Sequence, residues 1–467
     1  MLKKISIICA SVLSSAVTIA QNEIGLYNMN YVHQSSFLNV SNQSDYKFSL
    51  GLPGIGSVYS AAGNSGFSLV KDLIDSTSAD KKDWYTDASF VDNLKKKNIT
   101  YVASSVDLLS FRFKTRHSFY SFAITEQMQC RFMYPKDLFG VLIKGNGEYI
   151  GKDIVFDNLQ LNAQYYREYA LGYQKELKNK WSFGFRLKLL QGLASVHTSK
   201  SVTKLHVDSN EEGNNITASS NIVINTSYNK IFEKDSGVSN DEYIKALTSF
   251  KNLGAAVDLG VTYKLNKRLQ IAGSVNNLGF ISWKDNPNNY KLAGDAKFSG
   301  VVIRDLTAGD SVKLTLDSWA DSLGKKFKFD TSHNKYSSML VGSSSVNLNY
   351  QVFRNTYLNA LIQASFYKGA RFAYSVGINQ KIARWFALTG YWSAQYGKYD
   401  NIGAGFMIKP ACFQIYAICD NLMPLLKSLD GNEIDATKFD FRNSNLRFGV
   451  NIAIGRFKTP DIQTFEK

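Results

Sequence analysis

The chain has 467 residues, with 54 basic and 39 acidic side chains and a formal net charge of +15. The lysines are scattered and form no continuous basic patch, so nucleic acid is not an expected partner. Outer-membrane lipid and lipopolysaccharide phosphates fit this charge better, as does ordinary solubilising loop charge. Only six prolines, far below the ~5% average, favour long uninterrupted strands. No run of 18 or more apolar residues follows residue 20, which excludes a helical membrane protein.

The first twenty residues have the pattern of an export signal. Lys3 and Lys4 precede the apolar stretch Ile5–Val17, and small residues then lead to an expected cleavage between Ala20 and Gln21. An uncleaved signal anchor is the alternative, but the stretch is shorter than the ~20 residues that a spanning helix needs. The pattern predicts Sec-type export into the envelope of a Gram-negative bacterium, with residues 1–20 as the signal peptide.

Strict alternation of apolar and polar residues recurs along the rest of the chain and predicts membrane-spanning strands. The clearest cases are the segments 181–189, 255–263, 269–276, 372–379 and 446–454. Aromatic residues stand near strand ends, as in an interfacial girdle: Tyr173, Trp181, Tyr263 and Trp385. Since strands in lipid must pair completely, these must close into a barrel. We expect one all-β domain over residues 21–467, a transmembrane antiparallel β-barrel of about fourteen strands, rather than a periplasmic β-sandwich.

The connections between the strands predict which end of the barrel faces which side of the membrane. Short polar turns at 177–181, 265–269 and 382–385 suit periplasmic turns, and the longer polar segments 195–220 and 283–299 suit extracellular loops. The irregular segment 21–45 is interpreted either as a hatch inside the lumen or as a periplasmic segment.

Two further segments break the alternation and have helical spacing. One carries an apolar stripe formed by Val312, Leu316, Trp319, Leu323 and Phe327; the other is 241–250. Such a stripe usually packs on the barrel rim, and its functional alternative is a lid over the lumen or a surface for a partner protein.

The end of the chain resembles a signal read by the barrel assembly machinery, which is therefore an expected partner. Arg447, Gly449, Ile452 and Ile454 match a polar-x-Gly-x-x-aromatic-x-hydrophobic pattern, with an aliphatic residue in place of the aromatic one. Simple strand alternation explains the same residues.

No catalytic, metal or cofactor site is expected. The five histidines have no metal-ligand or dyad spacing, and His197 and His206 are placed in a polar loop. Cys412 and Cys419 lie seven residues apart in a strand-like run, which is too far for a disulfide.

Several phrases together resemble a known family: 52–57 (LPGIGS), 63–67 (GNSGF), 134–138 (YPKDL), 168–173, 257–263 and 277–283 (NLGFISW). They are similar to a family of outer-membrane proteins of unknown function in Bacteroidota. This family is in turn distantly similar to FadL-type fatty acid transporters and to the PorV-like barrel of type IX secretion. The resemblance implies a fourteen-stranded barrel with an N-terminal hatch, no assigned reaction and no functional residues to carry over.

Two functions therefore stay open, beside the weaker option of a water-filled porin. The first is passage of a hydrophobic or amphipathic small molecule across the outer membrane. The second is a non-transporting scaffold that docks a secreted or surface protein.

Overall fold

A computed structural model of the chain describes residues 23–29, 31–67, 88–145, 147–178, 180–208, 215–228, 244–245, 247–299, 328–395, 398–423, 429–430, 433–434 and 443–456. Its strands are β1 (Tyr46–Gly51), β2 (Val58–Asn64), β3 (Lys97–Lys114), β4 (Ser118–Pro135), β5 (Asp153–Phe156), β6 (Gln160–Leu177), β7 (Trp181–Val207), β8 (Asn215–Ser227), β9 (Leu253–Lys264), β10 (Leu269–Trp283), β11 (Pro287–Ser299), β12 (Lys328–Ser332), β13 (Tyr336–Met339), β14 (Gly342–Phe353), β15 (Thr356–Phe366), β16 (Ala370–Lys381), β17 (Phe386–Gln395), β18 (Lys398–Ile408), β19 (Phe413–Cys419), β20 (Leu429–Asp430), β21 (Glu433–Ile434) and β22 (Asn443–Arg456). The described helices are α1 (Gly25–Asn28), α2 (Ala88–Asp92), α3 (Lys136–Lys144) and the 3₁₀ turns His33–Phe37 and Gly147–Tyr149.

The strands close into an antiparallel barrel whose wall has 14 strand positions. β1 and β2 together occupy the first position, and β13 and β14 together occupy another. The remaining twelve positions are occupied by β3, β4, β6, β7, β9, β10, β15 to β19 and β22. The last strand closes the wall, because β22 pairs with β19 on one side and with β1 and β2 on the other. The predicted strand number and fold class are confirmed.

The wall is apolar outside and polar inside, as the alternation predicts. In the short-turn half of β7, Phe185 and Leu187 are 43% and 54% exposed, whereas Ser182 and Arg186 on the opposite face of the strand are buried. The predicted girdle is visible at the short-turn end, where the rings of Trp181 and Tyr263 lie 4.3 Å apart. Large apolar side chains that stay exposed around a closed wall require a lipid solvent, so the barrel spans a membrane through its strands.

The polar segments 195–220 and 283–299, expected to be extracellular loops, are largely strands in the part that the structure describes. β7 continues past its pairing with β9 to Val207 and pairs there with β5 and β8, and β8 pairs with β11, which pairs with β12. This five-stranded extension, the wing, packs Ile154, Phe156 and Leu205 against Leu138 and Val141 of α3. The prediction of loops was wrong because the strands of the wing have one face in water instead of lipid. They therefore lack the lipid-facing alternation by which the wall strands were recognised. His197 and His206 consequently lie on β7.

None of the helices in the described part of the chain combines the length and the apolar content of a membrane span.

Candidate functional site

The described residues of the segment 23–45 lie inside the barrel, and side chains from strands around the wall bind the backbone of this segment. Seven bonds reach the carbonyl oxygens of Tyr31, Ser36, Leu38, Ser41 and Asn42. The donors are Gln414 on β19, Arg186 and Ser182 on β7, Ser274 and Asn276 on β10, Gln174 on β6 and Arg112 on β3. Because the donors stand on opposite sides of the wall, the segment fills the lumen between them. We call residues 23–45 the hatch.

Two paired glycines make room for the turn of the hatch at residues 39–41, which we call the elbow. Gly184 and Gly260 are opposite one another on β7 and β9. A Cβ at Gly184 would come within 2.6 Å of the carbonyl carbon of Val40, and one at Gly260 within 2.3 Å of Asn39 Oδ1. Since real Cβ atoms do not approach so closely, any larger residue at either position displaces the elbow. A glycine on the inward face of a strand is the sequence signal that could have located this contact.

The start of the hatch is latched by charge. The Glu23 carboxylate pairs with the Arg447 guanidinium of β22, and the two side chains are 13% and 8% exposed. Arg447 also donates to Ser57 and lies 4.8 Å above the ring of Tyr59. The backbone N–H groups of Ile24 and Gly25 donate to the Asp420 carboxylate at 3.0 and 2.9 Å. Burial raises the pKa of Glu23 and the Arg447 charge opposes that rise.

The middle of the hatch carries a buried neutral histidine. His33 Nε2 lies 3.2 Å from Ser110 Oγ on β3, and its Nδ1 has no hydrogen-bond partner. Burial, together with the charges of Arg112 and Arg186, lowers the pKa of His33 to about 3. Nearby, Gln34 exchanges amide hydrogen bonds with Asn451 of β22 at 2.7 and 2.9 Å. A protonated, positively charged His33 would face these two guanidinium groups.

Between the hatch and one side of the wall lies a cavity of about 160 Å³, the chamber. Part of its lining is apolar or aromatic: Phe37, Leu38, Tyr59, Ala103, Ala123, Met128, Tyr166 and Val341. The other part is polar, including Glu23, Glu168, Arg186, Lys188, Arg447 and several Gln and Ser side chains. A cavity of ~150 Å³ holds one benzene-sized molecule.

The charged part of the chamber is organised by a buried network in the wall. Lys188 Nζ lies 2.8 Å from Asp258 and 3.2 Å from Glu168, and Arg186 lies 3.5 Å from Asp258. Lys188 also donates to Asn277 at 2.7 Å, where β10 bulges against β9. Charges buried in this way are paired rather than free, so the chamber presents fixed and oriented charges to whatever enters it.

The other predicted site residues divide into two groups. Ala20, Gln21 and the stripe from Val312 to Phe327 lie outside the described residues, so cleavage and the lid or partner surface stay predictions. Arg447, Gly449, Ile452 and Ile454 all lie on β22. Arg447 holds the hatch, and a Cβ at Gly449 would come within 2.1 Å of Gly56 O. Both residues therefore have a packing role, and their role as an assembly signal stays a prediction.

Within the described ranges, no group of three or more His, Cys, Asp or Glu side chains is placed to hold a metal ion. The cysteines Cys130, Cys412 and Cys419 are free.

The closed wall, the lipid-facing outer surface and the filled lumen define an outer-membrane β-barrel with an internal hatch. The model of the family of unknown function DUF5723 matches residues 41–420, and the chain belongs to this family. No curated protein matches the chain.

Several solved structures are similar to this chain at low sequence identity. The Ralstonia pickettii toluene transporter TbuX is 8% identical, with a TM-score of 0.39 over 87% of this chain and 89% of that one. A Pseudomonas aeruginosa FadL homologue is 8% identical, with a TM-score of 0.35 over 90% and 92%. The translocator domain of the autotransporter NalP from Neisseria meningitidis is 6% identical, with a TM-score of 0.34 over 91% and 95%.

Proposed function

We propose that this barrel passes a small amphipathic molecule across the outer membrane of a Gram-negative bacterium, after Sec-type export of the chain, with the hatch as its gate. The observation that carries the proposal is the chamber between hatch and wall. A plain structural plug would be expected to pack its interface closely, since protein interiors leave few voids larger than a water molecule. Here a cavity of about 160 Å³ is kept open beside the hatch.

The lining of the chamber supports an amphipathic rather than a purely hydrophobic occupant. Tyr166, Met128 and Leu38 offer apolar contact, while Arg186 and Lys188 offer charge that is held in place by Asp258 and Glu168. A ligand without polar groups would have to cover these charges without replacing their hydration, which is unfavourable. The filled lumen speaks against a water-filled porin, and the scaffold alternative stays a prediction because its stripe lies outside the described residues.

The first test is mass spectrometry of small molecules released from the gently solubilised full chain, beside an unrelated barrel from the same cells. Retention of a specific amphipathic compound is the expected result. The same measurement is made on Ala123→Trp, which fills the chamber, and on the control Ala255→Trp, which adds the same bulk on the exposed outer face. The compound should be lost in the first variant and kept in the second. Equal retention in both would place the compound outside the chamber and contradict the proposal.

A further inference from the structure

The short-turn end of the barrel is strongly basic. It comprises six turns between wall strands, at 114–118, 175–180, 264–269, 353–356, 381–385 and 409–412, together with 45–47 before and in β1. These stretches, the basic rim, hold 13 Lys and Arg residues and 2 acids, and leave 41 basic and 37 acidic residues for the rest of the chain. The two acids are paired, Glu176 with Lys264 at 3.0 Å and Asp45 with Lys381 at 2.9 Å. Most of the net charge of the protein therefore lies at one end of the barrel.

The basic rim lies at a defined depth in the membrane. Four times a basic residue directly follows or precedes an aromatic residue at the short-turn end of a wall strand, at 113–114, 180–181, 263–264 and 384–385, and three of these aromatic residues (Trp181, Tyr263 and Trp385) belong to the girdle. Aromatic girdles mark the boundary between hydrocarbon and headgroups. The charges one residue further from the membrane centre are therefore at the level of the headgroups, and Lys178, Lys180 and Arg268 are exposed there.

The rim also encircles the barrel. Each of the six turns joins a different pair of wall strands, and each carries at least one basic residue. A protein partner would be expected to bury one sector, whereas headgroups surround the whole circumference. Short turns mark the periplasmic end of such barrels, so the surrounding headgroups are those of the inner leaflet.

We propose that the basic rim binds the phosphate groups of anionic phospholipids in the periplasmic leaflet of the outer membrane. Lys and Arg side chains near an anionic membrane surface are attracted to it, and its 13 basic and 2 acidic residues give the rim a net charge of +11. The rim would thereby collect a shell of anionic lipid around the barrel and fix its depth in the membrane.

The test uses the full chain in mixed micelles of equimolar phosphatidylglycerol and phosphatidylcholine, with retained lipids counted by native mass spectrometry. The variant K178Q/K180Q/K267Q/R268Q removes four charges from two neighbouring turns. The control K200Q/K284Q/K291Q/K335Q removes four charges from exposed positions beyond the opposite end of the membrane span. We expect wild type and control to retain phosphatidylglycerol preferentially, and the rim variant to lose this preference by about fivefold or more.

The conservative variant K178R/K180R/K267R should keep the preference, and heat-modifiable migration on gels shows that each variant is folded. Equal retention of the two lipids by wild type overturns the proposal, as does an equal loss in rim variant and control. Binding of poly-glutamate to the wild-type rim without any phosphatidylglycerol preference would also overturn it, in favour of a soluble acidic partner.

Discussion

Replacing Glu23 with Gln should release the hatch. The change removes the carboxylate from a pair that is largely buried and leaves the Arg447 guanidinium without that partner inside the barrel. Removing one member of a buried ion pair costs about 3–5 kcal/mol. Ser57 and the ring of Tyr59 still contact Arg447, so we take the lower figure of about 3 kcal/mol. This corresponds to roughly a 150-fold shift from the docked towards the released hatch.

The converse variant, Arg447→Met, should be milder at acidic pH. Burial already raises the pKa of Glu23, so a Glu23 without its arginine can lose its charge by taking up a proton. Arg447 cannot lose its charge in the corresponding way, because arginine stays protonated in proteins. The Arg447 charge opposes the rise in the pKa of Glu23, so the methionine variant has a still higher pKa at Glu23 than wild type. At a pH between these two pKa values the methionine variant should approach wild-type behaviour, while Glu23→Gln should not.

The assay is single-channel conductance in a planar bilayer, where the docked hatch is closed and the released hatch conducts. Glu23→Gln should show openings that are rare in wild type. Glu148→Gln, an exposed carboxylate outside the barrel wall, is the matched control and should behave as wild type. If Glu23→Gln is as silent as its control while the folded barrel is intact, the latch does not hold the hatch and the reasoning is refuted.

Two further predictions concern the same gate. The pKa of His33 is about 3 when docked against an ordinary value of 6.5, so docking is intact above pH 6.5 and weakens as pH falls towards 3. The loss is up to about 1.4 kcal/mol per pH unit, and His33→Gln should abolish it. Openings at pH 5 that are equally frequent in both proteins would contradict this. Gly260→Val should displace the elbow at Asn39 and raise conductance, whereas Gly390→Val, with no atom within 4 Å of its Cβ position, should not; similar conductance in the two would argue against the glycine contact.

The barrel itself could be predicted because its wall obeys one local rule. A strand with lipid on one side and a polar lumen on the other must alternate between apolar and polar residues. The two faces of segments such as 181–189 and 372–379 can therefore be recognised directly in the sequence. The wing could not be recognised in the same way. Beyond the membrane one face of β8 and β11 meets water, and the apolar side of the wing is shared among short stretches of β5, β7 and α3.

Local sequence patterns could not predict the contacts of the hatch either. Glu23 and Arg447 are 424 residues apart, and Gln414 and Tyr31 are 383 apart. Arg447 was singled out as part of a terminal strand pattern, and its neighbours give no hint of a partner near the start of the chain. Only the closure of the barrel brings these ends together.

The hatch is recognised largely through its carbonyl oxygens, which every amino acid possesses. The side chains of Arg112, Gln174 and Arg186 read the path of this backbone rather than the identity of its residues. Over evolutionary time the segment can therefore change much of its sequence and still dock, provided that the glycines opposite its elbow are kept. Among related barrels the sequence of the hatch should then vary more than the wall residues that bind it. A buried segment usually varies less in sequence than its surroundings.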